Sequence, residues 1–481
     1  MPKTNKQIFI LIGVFTLIRL IVAPFFGLGV DEAHYILYAK YLALSYVDHP
    51  PLVGWTHAPF FYIFGTNEFL ARLPAILIFA ATSYCAYLFI LRITQSTRLS
   101  LLSVLALNCS FMLNALGLML LPDSFLLLFV FLLIFISEKL LREKKPLDFI
   151  LLGILLGLMG LAKYTAILFV PPLALFFLMK KRYDILFSPY MFLAAIIAFV
   201  MITPVIYWNM THDFISFRYQ GGHIFGTLSS SFKNFAESLA AQFGVYCPFL
   251  FIIAFYGFFK ALRSKSVYLQ LAVLFGGTII AFFLLTSFYE RTLPHWPGVF
   301  YLLFIPVGTC FLLRSREKWK RNFLYFSVGF SLVLILFAYV ELAGKCFAFP
   351  DYQSPFRDIY GFPAILKQAD DILKHNVSSG PSAIAVSNWT MGSRTMYYNL
   401  PYKNEVFVID NRQDQFNIWQ TKSPIGYDLL FLNTHFNSLD IEKQVRCERT
   451  DVAAKTDILL NGSKVDTVEF VWCHHYQGMK P

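Results

Sequence analysis

Charge is what this sequence has least of: 14% of its 481 residues are Asp, Glu, Lys or Arg, where a soluble globular chain carries roughly a quarter. That shortage excludes a soluble enzyme of two or three domains. Hydrophobic residues at 57% and aromatics at 18% exclude a disordered or fibrous chain. Cysteine is scarce, seven in all, and no close His/Cys spacing demands a metal. No glycine-rich phosphate loop follows a strand, and no internal repeat relates the two halves. Lys3 and Lys6 precede the first apolar run, yet no small-residue cleavage site follows it, so that run reads as a retained span.

What is present in excess is long apolar runs. A hydrocarbon core of about 30 Å needs about 20 residues of helix. Such runs lie near 8–28, 69–91, 189–207, 239–260, 267–286, 298–313 and 322–343. The stretch 99–137 makes about 58 Å of helix and must be two spans, turning near Asn114 to Asp123. The stretch 149–178 makes about 45 Å, long for one crossing and short for two. The distribution of basic residues decides it. With two crossings every cluster falls on one side: Lys3/Lys6, Arg92/Arg98, Lys139/Arg142/Lys144/Lys145, Lys180/Lys181/Arg182, Arg263/Lys265 and Arg314/Arg316/Lys318/Lys320/Arg321. The expected fold is therefore an all-α polytopic membrane protein of about eleven spans, with its N-terminus in the cytoplasm. The +11 balance of 40 basic over 29 acidic residues follows from that topology, and no nucleic acid partner is expected.

The loops on the opposite side carry a different chemistry. The first, 29–68, reads GVDEAHYILYAKYLALSYVDHPPLVGW and holds Asp31, Glu32, His34, Asp48, His49 and His57. A second holds Asn114 and Asp123, a third Lys163 and Tyr164. A fourth, 208–238, holds His212, Arg218 and His223, and a fifth, 287–297, holds Glu290, Arg291 and His295. Ionisable residues at membrane depth cost several kcal/mol unless paired or hydrated. Any one of them could be solvated at the interface, but five distant loops bringing acid, imidazole or cation to one face suggest a site. A carboxylate can take a hydroxyl's proton, while Lys, Arg and protonated His hold phosphate. The combination fits transfer of a group away from a membrane-anchored phosphate.

The strings DEAHYILYAKYL, YVDHPPLVGW, LPDSFLLLF, GLAKYTAILFVPPL, YWNMTHDFISFRYQGGH and LPHWP resemble, in the same order, the bacterial branch of the protein O-mannosyltransferase-like membrane glycosyltransferases. That group includes the lipid A aminoarabinose transferases and the lipopolysaccharide core galacturonosyltransferases. The resemblance covers residues 8–300, and the later NRQDQFNIW segment more weakly. It implies a GT-C type fold, a polyprenyl-phosphate sugar donor, a glycolipid acceptor, and a site facing the periplasm of a bacterial inner membrane. No nucleotide site is then expected. Carried over, Asp31 matches the acid of the first outer loop, with Glu32 and Asp123 as further catalytic candidates. Lys163 matches the lysine of the GLAKY-type motif and is assigned to the lipid phosphate, together with His49, Arg218 and Arg291. Where the aminoarabinose enzymes place a lysine, this chain has His49. Asp48, Tyr164, His212, His223, Glu290 and His295 are assigned to substrate. No cofactor is assigned with certainty; Asp48 and His212 are of the types that could share a divalent metal ion, and no close His/Cys spacing demands one.

Beyond about residue 344 the character changes. GFPAILKQADDILKHN has helical periodicity, SAIAVS, EVFVID and YDLLFLN read as short buried strands, and MGSRTMYYNL reads as a helix. The expected organisation is a membrane domain over 1–343, with outer loops 29–68, 208–238 and 287–297, followed by a small periplasmic α/β domain over 344–481. Cys346, Cys447 and Cys473 fall in that domain; a Cys447–Cys473 bridge would leave Cys346 over, and spacing alone does not settle the pairing. The competing class is a transporter or flippase for a lipid-linked sugar, whose charges would line a pathway at the midplane instead of one rim.

Overall fold

The computed structural model describes residues 6–225, 230–376 and 380–480, the side chains of 223–225 excepted. The chain forms two compact units: residues 1–23, 43–56 and 69–338 make one, and residues 24–42, 57–68 and 339–481 the other.

Among the described residues, five helices are long and apolar enough to cross a membrane: Glu68–Thr94, Pro122–Arg142, Pro189–Thr211, Val267–Thr286 and Lys318–Gly344. A bent pair, Phe232–Val245 and Pro248–Ala261, adds a sixth if it is one span. Shorter apolar helices cover Gln7–Val22, Thr97–Asn108, Pro146–Ala162, Tyr164–Met179 and Gly298–Leu313. Together these fill the apolar runs that the sequence marks. Phe192, Ile196, Phe199 and Val200 are exposed on helix Pro189–Thr211 at spacings of three and four residues, a stripe suited to lipid contact.

Three local departures from the expected spans have physical causes. The run 8–28 is helical only to Val22, because the chain turns there toward a separate helix, Val30–Lys40. The run 239–260 is bent by 105°, with Cys247 at φ 68° directly before Pro248, a residue that cannot continue the preceding helix. The outer segment 208–238 is not a loop throughout, since Ile215–Phe225 is helical. The stretch 149–178 does break: helix Pro146–Ala162 stops at Lys163, whose backbone is extended (φ −154°, ψ 139°), and a 3-10 turn, Tyr164–Phe169, leads into Val170–Met179.

Glycines let the helices of the first unit approach closely. A Cβ on Gly308 would lie 2.1 Å from the Ile253 carbonyl oxygen, and one on Gly257 would lie 2.5 Å from the Gly308 nitrogen, so helices Pro248–Ala261 and Gly298–Leu313 cross backbone to backbone. Arg19 is buried in the same unit, where its guanidinium donates to Asn108 Oδ1 at 2.9 Å and Asn114 Oδ1 at 2.7 Å and lies 4.7 Å from the Phe79 ring centroid. Asn114, expected among the outer-loop polar groups, thus serves a buried cation.

In the second unit a five-stranded sheet runs in the order Val406–Val408, Ser382–Val386, Asp428–Thr434, Ser463–His474, Arg449–Leu460. The first three strands are parallel and the last two antiparallel. Alternate side chains of the parallel strands enter separate cores. Ile384, Val386, Leu430 and Leu432 pack with Phe362, Ile365, Leu366 and Leu37, while Ala383, Ala385, Leu429 and Phe431 pack with Ile441 and Val445. Burial on both faces is why these strands read as continuous apolar runs. The hairpin Arg449–Leu460/Ser463–His474 was not expected, and the polar, largely unburied pattern of its first strand explains that. A disulfide joins Cys447 to Cys473, and Cys346 is free.

Candidate active site

Helices Pro122–Arg142 and Pro146–Ala162 are joined by a short turn and run antiparallel. The first residues of one and the last of the other therefore share an end. Asp123 stands in the first turn of the former, and Lys163 caps the latter. Both side chains are more than nine-tenths buried, and Lys163 Nζ donates to Asp123 Oδ1 at 2.7 Å and Oδ2 at 2.8 Å. An ammonium has three donors, so two of them go to one carboxylate. His295, just before helix Gly298–Leu313, brings Nε2 to 3.8 Å from Asp123 Oδ2, and the Trp296 ring centroid lies 5.9 Å from the Lys163 ammonium. Three residues separated by up to 172 positions thus converge. The other end of the same helix pair carries Lys139, Arg142, Lys144 and Lys145, with Lys139 on Asp148 at 2.7 Å and Lys145 on Glu143 at 2.8 Å.

Directly after Lys163, the Tyr164 hydroxyl hydrogen-bonds Ser45 Oγ at 3.2 Å and neighbours Ser216 and Asn209. Ser216 Oγ donates to the Tyr46 carbonyl at 2.8 Å, and Gln220 Nε2 donates to the Asp48 carbonyl at 2.7 Å. These bonds tie the segment bearing Asp48 and His49, both half-buried, to helix Ile215–Phe225. Ser45, Asn209, Ser216 and Gln220 gave no signal in the sequence, where each is an ordinary polar residue among aromatics. Trp296 stood in LPHWP but reads there as interfacial.

The remaining candidates are dispersed. Arg218 is exposed on helix Ile215–Phe225. Arg291 is exposed and faces Glu237 at 3.8 Å, with half-buried Glu290 before it. His212 stacks on Trp208 with ring centroids 4.1 Å apart, and its Nδ1 lies 2.8 Å from the Trp208 carbonyl oxygen. The His223 side chain lies outside the described residues. No group of three or more His, Cys, Asp or Glu that could hold a metal ion occurs among the described residues.

Asp31 and Glu32 belong to the second unit, in the first turn of helix Val30–Lys40. Glu32 is buried and its Oε2 accepts from the Gly29 N–H at 2.9 Å, so this carboxylate caps its own helix. Asp31 is half-buried at the helix N-terminus, where the backbone dipole favours negative charge. The same unit contains Asp414, whose Oδ1 accepts from the Phe416 N–H at 2.9 Å while Oδ2 is buried without a hydrogen-bond partner. Burial raises the Asp414 carboxyl to about 6.

The family described as dolichyl-phosphate-mannose-protein mannosyltransferase matches residues 48–208. The chain is similar to the lipid A galacturonosyltransferase RgtD of Rhizobium johnstonii, at 26% identity over 264 residues. That match takes in 52% of this chain and 54% of the relative, about half the relative's length. Among solved structures, the chain is similar to ArnT from Cupriavidus metallidurans in the apo state, with TM-score 0.64 and 13% identity over 97% of each chain. It is also similar to ArnT from the same organism bound to undecaprenyl phosphate, with TM-score 0.68 and 14% identity over 97% of this chain and 98% of that one. Likeness at such identity shows the fold: an all-helical GT-C type membrane protein with a small C-terminal sheet domain.

Proposed function

From a GT-C fold that carries the protein O-mannosyltransferase-like resemblance, we propose that this protein is an integral membrane glycosyltransferase that moves a sugar from a polyprenyl-phosphate donor to lipid A or another lipopolysaccharide component, with inversion. The observation that carries the reading is the buried Asp123–Lys163 pair with His295 beside it, at the end of the helix pair away from the basic cluster Lys139–Lys145. In a transferase of this orientation the pair lies on the exported side, the basic ends lie in the cytoplasm, and the Cys447–Cys473 bridge lies in an oxidising compartment. The similarity to RgtD and to ArnT with its bound undecaprenyl phosphate supports the choice of donor and acceptor.

The chemistry follows from charge. A polyprenyl-phosphate sugar is a phosphodiester; when the bond from the anomeric carbon to the phosphate oxygen breaks, the electron pair leaves with the phosphate, which becomes a monoester with one more negative charge. The acceptor oxygen forms the new bond to the anomeric carbon from the opposite face. Its proton passes to the Asp31 carboxylate, which acts as general base. The departing phosphate needs a cation and no proton. Lys163 supplies it: Asp123 holds two of its three N–H donors, and the third takes a phosphate oxygen. Removing such a preorganised donor typically costs about 2.7–4 kcal/mol in the transition state. His295, His49 and Arg218 are further donors to the phosphate region, with Asp48 and Tyr164 directed at the sugar.

Mass spectrometry of lipid A and core oligosaccharide from a strain lacking this protein tests the acceptor. The expected result is loss of one sugar residue from one of them, restored by the wild-type chain and not by Asp31→Asn. Identical spectra with and without the protein would remove lipopolysaccharide as the acceptor.

A further inference from the structure

The helix that carries Asp31 is built into the C-terminal sheet domain, not merely near it in sequence. Helix Val30–Lys40 has 11 residues, too few to be stable alone in water, and residues Glu32 to Ala39 are buried. Its contacts come from residues more than 300 positions later. Leu37 joins the apolar core of Phe362, Ile365 and Leu366. The Ser393 hydroxyl donates to the Trp389 carbonyl at 2.8 Å and so accepts at 3.1 Å from His34 Nδ1. Tyr41 stacks on Trp419 with centroids 5.0 Å apart.

The approach to the helix is held more tightly still. Three consecutive backbone N–H groups at the entry to the helix, none with an intrahelical backbone acceptor, each have a partner. Gly27 donates to the Ile359 carbonyl at 3.2 Å, Leu28 to the Tyr398 hydroxyl at 2.8 Å, and Gly29 to Glu32 at 2.9 Å. The Tyr398 hydroxyl in turn donates to Glu68 Oε1 at 3.1 Å. At Gly27 the two backbones are in such contact that a Cβ would lie 2.4 Å from the Ile359 oxygen.

We propose that Tyr398 is a positioning residue for Asp31: one hydroxyl, accepting from Leu28 and donating to Glu68, fixes the chain three residues before the carboxylate. The inference rests on the reading of Asp31 as the acceptor's base. Tyr398→Phe keeps the ring, with its stack on Phe362, and removes only the hydroxyl. The test uses the full-length protein in detergent, with turnover and donor KM measured alongside amide hydrogen exchange. For Tyr398→Phe the expected turnover is lower by about ten- to a hundredfold, with donor KM unchanged and the protein still folded at the assay temperature. Exchange should be faster at Leu28 to Glu32 and unaltered in the membrane helices. Glu68→Gln, which retains an acceptor for the tyrosine, should lose less than Glu68→Ala. Unchanged exchange and turnover would overturn the proposal, as would a turnover loss that merely follows loss of folded protein. Asp31→Asn, measured separately, decides the base assignment: full activity there removes that reading, while exchange in Tyr398→Phe still decides whether the hydroxyl holds the loop.

Discussion

Replacing Lys163 by Met leaves the Asp123 carboxylate buried without its cation, and the consequence can be worked from the geometry. The two groups are 2.7 and 2.8 Å apart with side-chain exposures of 6% and 7%. At an effective dielectric of about 20, unit charges at that separation attract by about 6 kcal/mol. Desolvation of each ion costs several kcal/mol and offsets most of that, so the intact pair contributes little net stability, whereas removal of one partner costs about 3–5 kcal/mol. Thermal unfolding in detergent should therefore show Lys163→Met and Asp123→Leu each strongly destabilised. The double variant, with two apolar side chains facing each other, should recover to within about 1 kcal/mol of the wild type. Activity should not follow stability. The double variant folds but lacks the ammonium, so donor KM rises and turnover falls by about a hundred- to a thousandfold. If the single variants cost less than about 1 kcal/mol, or if the double variant loses the sum of both, the side chains do not form a desolvated, coupled pair and the reasoning fails.

Two further expectations concern the C-terminal domain. Burial raises the Asp414 carboxyl to about 6, so the folded domain holds that proton more tightly than the unfolded chain does. Its contribution is most favourable below about pH 4, the ordinary carboxylate value, and is lost as pH rises through 6. Asp414→Asn, which keeps a side chain suited to the helix N-cap, should therefore stabilise by about 1–2 kcal/mol at pH 7.5 and by almost nothing at pH 4; a constant difference across that range would contradict the assignment. The Cys447–Cys473 bridge closes a loop with a sequence separation of 26, worth about 3.5 kcal/mol in the chain-entropy picture. The Cys447→Ser/Cys473→Ser pair should lower the domain's unfolding midpoint correspondingly, and an unchanged midpoint under oxidising conditions would refute that.

Much of the membrane part was legible because its physics is one-dimensional. Apolar run length and the placement of basic clusters are properties of the chain itself, and they divided 149–178 at the position where the helix breaks, Lys163. The convergence of Asp123, Lys163 and His295 was legible only as three loops of suitable chemistry. That Lys163 is paired with Asp123 depends on helix packing that no local pattern encodes. Cys247 at φ 68° and the bend it makes were hidden inside a uniformly apolar run. Glu32 read as half of an acidic pair, although Gly29 three residues earlier gives the spacing of a cap, which the structure shows it to be. In the C-terminal domain the buried strands declared themselves by composition, while the Arg449–His474 hairpin did not. Its outward residues are polar, and its pairing is set by a turn at Asn461–Gly462. The attachment of helix Val30–Lys40 to that domain joins segments over 300 residues apart, which sequence spacing does not reveal.

The measurement that bears most directly on the account is transfer of radiolabelled sugar from a polyprenyl phosphate by the purified protein in detergent, where no ion gradient can exist. Label should appear in extracted lipopolysaccharide with free polyprenyl phosphate released in equal amount, and both should fall by about a hundred- to a thousandfold in Lys163→Met/Asp123→Leu. Movement of the intact lipid-linked sugar across a sealed vesicle, with no sugar transferred in detergent, would contradict it and make the protein a transporter.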